Sequence, residues 1–175
     1  MASPSSSSAA LPVARVVLRI LIVLNWLSGA AILALLVVVP HERWILSEFE
    51  LSPSPEATRV VYGLRAIAVL GLVTIPLNYV VLRKLLAIVE TVRAGDPFVA
   101  ANASRLRAIG WSLLALQLLS IVIGSIAGGI STPAHPVDLD AGFSINGWLA
   151  VLLTFLLARV FAEGAHMRDD LEGTV

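Results

Sequence analysis

The sequence predicts an all-α membrane protein: a four-helix transmembrane bundle. Three observations carry that expectation. Hydrophobic residues fill 58% of the 175 positions and charged residues only 14%, with a mean hydropathy of +0.90, whereas a soluble domain carries about 25% charge. The apolar residues fall into four long runs, about 13–39, 60–82, 109–130 and 145–161. The basic residues sit unevenly between those runs.

Residues 1–10 (MASPSSSSAA) are small and low in complexity and read as a disordered tail. Residues 11–175 then form a single domain. The first run follows Arg15 and Arg19 like a signal peptide, but it is too long for an h-region and no A-x-A site follows. It reads as a retained anchor longer than the ~30 Å hydrocarbon core requires. The second and third runs are ordinary spans. The fourth is the shortest and uses Trp148 as an interface anchor and a snorkelling Arg159.

Basic residues set the orientation. Placing the N-terminus inside puts Arg15, Arg19, Arg83, Lys84, Arg93, Arg105, Arg107, Arg159 and Arg168 on the inner side. Arg43 and Arg59 stay outside, with Arg65 within the second span. Both termini are therefore expected in the cytoplasm. Arginine outnumbers lysine eleven to one, a usage typical of GC-rich bacterial genomes, which points to a bacterial inner membrane.

Of the two outer loops, the first (PHERWILSEFELSPSPEA, 40–57) is acidic and broken by proline. The second contains VDLDAGFSI, where Val137, Leu139, Phe143 and Ile145 alternate with polar residues around a turn-like Asp-Ala-Gly. With Trp44, Leu46, Phe49 and Leu51 as partner strand, a small extracellular β-cap is expected.

Between the second and third runs lies a polar island, RAGDPFVAANASRLRAIG. Gly95 suits the left-handed residue after a helix, Asp96 an N-cap and Pro97 a first helical position. The second helix should continue to Ala94, ~18 Å beyond its span, and the third should begin at Pro97. Leu85, Ile88, Val89 and Val92 form one apolar stripe; Phe98, Ala101, Asn102, Arg105, Leu106 and Ile109 form the facing one. The expected product is a cytoplasmic helical hairpin with Lys84, Glu90, Arg93 and Arg107 outward.

Two stretches here resemble a known family. One is Gly95-x-Pro97-Phe98-x3-Asn102-x3-Leu106-Arg107-x-Ile109-Gly110. The other is the ending, Phe161-Ala-Glu163-Gly164-x-His166-x-Arg168-Asp169-Asp170-Leu171-Glu172-Gly-Thr174-Val175. Together they are similar to the bacterial membrane family called domain of unknown function 2975. The resemblance implies a four-helix integral membrane protein of unknown molecular function, often encoded beside a small helix-turn-helix regulator.

Other polar residues have structural readings. Asn102 is expected to lock the turn by hydrogen bonds. Pro76 should kink the second helix, with Asn78 satisfying the opened backbone. Arg65 should pair with Glu56 or an outer aspartate, and Glu163 with Arg105. Gly124-x3-Gly128 permits close packing inside the chain, or between copies in a homo-oligomer.

Several classes are disfavoured. A net charge of zero argues against direct nucleic-acid binding. The absence of cysteine removes disulfides, thiolate metal sites and cysteine nucleophiles. His41, Glu42, His135, Asp138 and Asp140 lack metal-ligand spacing, and no catalytic or cofactor signature occurs. No enzyme, metal or cofactor is expected. Thr74, Asn78, Gln117 and Thr154 are the mid-span polar groups and none is acidic, which disfavours proton-coupled transport. The favoured reading is a membrane-anchored interaction or regulatory protein. A transport component and a ligand-free structural protein are the alternatives. The lipid bilayer is the certain partner. Gly95, Asp96, Pro97, Phe98, Asn102, Arg105, Leu106, Arg107 and Glu163 form the candidate interaction motif.

Overall fold

A computed structural model describes residues 7–38, 55–131, 137 and 139–172, with side chains described for 10–37, 58–131, 137 and 139–168. Four helices follow in chain order: α1 (Ser7–Val38), α2 (Pro55–Arg93), α3 (Ala100–Ile130) and α4 (Ile145–Glu172). All four are long and apolar enough to cross a membrane. The composition and the fold are those of a multi-pass membrane protein. Helix α1 begins at Ser7, so the last four residues of the expected tail are helical; Ala9 and Ala10 are strong helix formers.

Each helix packs on its neighbour in the chain, α1 on α2, α2 on α3 and α3 on α4, and the described residues bring α1 and α4 no closer. Every pair is antiparallel. Asn25 and Arg15 of α1 meet Ile75 and Glu90 of α2. Gly63 and Thr91 of α2 meet Ile130 and Asn102 of α3. Gly110 and Gln117 of α3 meet Phe155 and Gly147 of α4. The bundle is thus a row with α1 and α4 at its edges, which is why so many α1 residues are exposed.

Between apolar helices in lipid, small residues and hydrogen bonds supply most of the attachment. Gly29 lets Ile75 approach α1, Asn25 Nδ2 donates to the Ile75 carbonyl at 3.0 Å, and Trp26 meets Tyr79 edge-on at 5.5 Å. Helix α2 runs unbroken through Pro76. The side chains serving its backbone there are Asn25 and Thr74, whose hydroxyl donates to the Gly71 carbonyl. Asn78, the residue expected in that role, makes no such bond. These bonds reach the Ile75 and Gly71 carbonyls, and the Leu72 carbonyl that Pro76 frees receives neither.

The expected β-cap is not seen. Among the described residues there is no strand, and the partner segment 44–51 lies outside them. Residues 139–144 instead fold back along α3. The Gly142 amide donates to Ser120 Oγ at 3.0 Å, and that hydroxyl donates to the Gly142 carbonyl. Helix α4 therefore starts level with the middle of α3, ~15 Å short of Ile130 at 1.5 Å per residue. The alternation that reads as a strand leaves Phe143 and Ile145 exposed at this step.

Gly124 explains the close approach. A Cβ there would lie 2.7 Å from the Gly142 Cα and 2.8 Å from the Ala141 carbonyl oxygen. The packing at this glycine is to a loop inside the chain. Gly128 faces open space.

Candidate functional site

The antiparallel row gathers four polar ends at one place: the start of α1, the α2–α3 turn and the end of α4. The turn is built by hydrogen bonds. Helix α2 closes with a Schellman motif, in which the Asp96 amide donates to the Thr91 carbonyl and the Gly95 amide to the Val92 carbonyl, both at 3.1 Å. Gly95 takes φ +87°, the left-handed geometry expected of it. Helix α3 does not begin at Pro97, however. Residues 97 and 98 form a second turn, Val99 is the N-cap without a side-chain cap, and the helix starts at Ala100.

Asp96 is drawn elsewhere and forms an ion pair with Arg168 of α4. The turn is held instead by Asn102, which is fully buried. Its Nδ2 donates to the Pro97 carbonyl and to Thr91 Oγ1, both at 2.8 Å. Its Oδ1 accepts from Arg105 at 2.7 Å. Arg105 also reaches the Ala87 carbonyl at 3.3 Å, and Thr91 Oγ1 donates to the Ile88 carbonyl. One amide thus ties both helices and the turn between them, the locking role expected of it.

This network corrects one pairing. Arg105 is held by Asn102 and Ala87, whereas Glu163 is exposed and takes no part. The expected Arg65–Glu56 pair falls on a glutamate whose side chain lies outside those described. Beneath the network, Leu106 and Ile109 pack with Ala158 of α4, against Val81, Leu85 and Ile88 of α2. The two apolar stripes do meet, except that Ala101 is exposed and Phe98 turns to α4.

Phe98 lies 5.4 Å from Phe161, ring to ring, and a Cβ on Gly164 would stand 3.0 Å from it. With Asp96–Arg168, these contacts join the Gly95–Gly110 stretch to residues 161–168 of the ending. Two segments 50 or more residues apart form one unit. A family described as "Protein of unknown function (DUF2975)" matches residues 45–175. The chain belongs to the DUF2975 family. The DUF2975 match takes in α2, α3 and α4 entire and leaves α1 before it. No curated protein and no solved structure matches the chain significantly.

Lys84, Arg93 and Arg107 are exposed, as the hairpin reading expects, and so is Arg83. Glu90 is also outward, but it meets Arg15 of α1 at 3.4 Å. The polar ends of α2 and α3 do not stand alone, because α1 and α4 run beside them with Val13, Val16, Val17 and Val160 exposed. An apolar rim this close to nine basic residues suits the headgroup layer rather than a free stalk.

Sequence reasoning missed Thr91, Arg168 as the partner of Asp96, and a cavity of about 200 Å³ between α3 and α4. Alanines 100, 103, 162 and 165 wall it, and Ser104, Arg107 and His166 line it. The small-residue spacing on the two helices was a legible signal, but only the register brings the two sets together. Among the described residues no cluster suited to a metal ion occurs.

Proposed function

We propose that this chain is a non-catalytic, multi-pass protein of a bacterial cytoplasmic membrane, with both termini inside, whose basic end holds a cytosolic protein partner. The observation that supports it most is the gathering of four helix ends around a rigid turn. The cytoplasmic hairpin of this reading is the α2–α3 turn with its flanking helix ends, seated at the headgroups. A small helix-turn-helix regulator is the partner we favour, by analogy with the genomic neighbours that the family resemblance implies. Exposed Arg93, at the tip of α2, would meet its acidic surface.

Orientation is tested first. Reporter fusions after Ser54 and after Asp140 are expected to report the outside; a cytoplasmic signal from either overturns the topology. Function is tested by crosslinking and affinity capture of the full chain from native membranes. Wild type is expected to retain a discrete cytosolic protein that Arg93→Glu loses, with both forms inserted equally. The same proteins captured by both forms would overturn the reading.

A further inference from the structure

Three features of the polar end are independent of any protein partner. The α3–α4 cavity is small, about 200 Å³, below the ~300–1,000 Å³ of clefts that hold drug-sized ligands. Among the described residues its polar lining is one arginine, one serine and one histidine. And its basic groups are unused. Arg15, Arg105 and Arg168 are held by Glu90, Asn102 and Asp96, whereas Arg107 and His166 have no hydrogen-bond or ion-pair partner among the described residues.

Those groups match one chemistry. A guanidinium presents a fork of N–H donors that fits two phosphate oxygens at once. The Ser104 hydroxyl, one turn away on α3, donates to the Ala101 carbonyl at 2.8 Å and would turn to the phosphate on binding. The imidazole of His166 carries an N–H in either protonation state. The alanines keep the walls low enough for a tetrahedral group and its ester carbon to enter between the helices. We propose that this cavity binds the phosphate of an anionic phospholipid headgroup.

The surroundings favour a lipid over a free phosphate. Trp111 lies one helical turn beyond Arg107, is exposed, and meets Phe155 of α4 edge-on at 5.4 Å. An acyl chain descending from the cavity would run along this pair. A tryptophan beside a basic pocket is also a common arrangement at the membrane interface. Among the described side chains of α4, the carboxylate of Glu163 sits one turn before His166, is exposed and does not line the cavity.

Native mass spectrometry of the full chain in detergent tests the site, with phosphatidylglycerol titrated against zwitterionic phosphatidylcholine. Wild type is expected to retain one phosphatidylglycerol in preference to phosphatidylcholine. Arg107→Gln combined with His166→Ala is expected to lose that retention by at least about tenfold, a change of ~1.4 kcal/mol. Arg93→Gln, which removes an equally exposed arginine outside the cavity, should retain the lipid. Ala100→Trp fills the cavity without altering charge and should lose it. Equal loss in Arg93→Gln and in the double variant would overturn the site in favour of diffuse charge. So would full retention by Ala100→Trp. Displacement of the lipid by millimolar inorganic phosphate would overturn its assignment to a headgroup and give the cavity to a soluble phosphate. Circular dichroism confirms that each variant is folded. Because no protein partner is present, these outcomes are independent of the capture experiment.

Discussion

Asn102→Leu is expected to destabilise the protein by about 3 kcal/mol, since each buried polar group left unpaired costs ~1–3 kcal/mol. The leucine strands the Pro97 carbonyl, removes a donor to Thr91 and takes the acceptor from the Arg105 guanidinium. Leucine matches asparagine in its number of side-chain heavy atoms but is bulkier, so overpacking adds to the hydrogen-bond loss. Asn102→Asp separates the contributions. It keeps an acceptor for Arg105 but offers the Pro97 carbonyl an oxygen instead of a donor, so it should recover only part of the loss.

The damage should be local as well as global. Hydrogen exchange is expected to rise at the Gly95, Asp96 and Asn102 amides, while the middles of α2 and α3 keep their protection. Thermal unfolding in detergent and exchange by mass spectrometry make the two measurements. Unchanged midpoint and unchanged exchange in Asn102→Leu would show that the network does not hold the turn.

The second large effect is expected at Gly124. A side chain there meets the backbone of Ala141 and Gly142 at under 3 Å, and backbone cannot swing aside as a side-chain tip can. Gly124→Val should lift the 139–144 loop from α3 and break the paired bonds between Ser120 and Gly142. Overpacking of this kind costs ~1–3 kcal/mol. Gly128→Ala is the internal comparison, one turn along the same helix with open space in front of it. Losing glycine inside a helix gains ~0.5–1 kcal/mol, so this variant should melt at the same temperature or higher. Equal melting temperatures for Gly124→Val and wild type would mean that the loop does not pack as described.

Gly147 is a milder case despite a shorter distance. A Cβ there would run into the Gln117 side-chain oxygen, but that atom ends a flexible chain and can rotate away. The distinction between a movable tip and a fixed backbone decides which glycine is intolerant.

The sequence by itself determined the properties that depend on composition and period. Four apolar runs of membrane length, the left-handed Gly95 after α2, the outward Arg93 and Arg107 and the family membership could all be read from the order of residues. Each follows from transfer free energy or from local backbone geometry, which act over a few neighbours. Tertiary structure decided what depends on register between distant segments. Asp96 looks like an N-cap in its local sequence, yet an arginine 72 residues away claims its carboxylate. Arg105 faces Asn102 rather than Glu163, and Asn25 rather than Asn78 reaches the backbone beside Pro76. The 139–144 part of the alternating segment lies along α3 because Ser120 and Gly124 offer it hydrogen bonds and room. The α3–α4 cavity exists only where two pairs of alanines come level. Such polar choices turn on a few kcal/mol between competing partners, and the packed helices alone determine which partner is within reach.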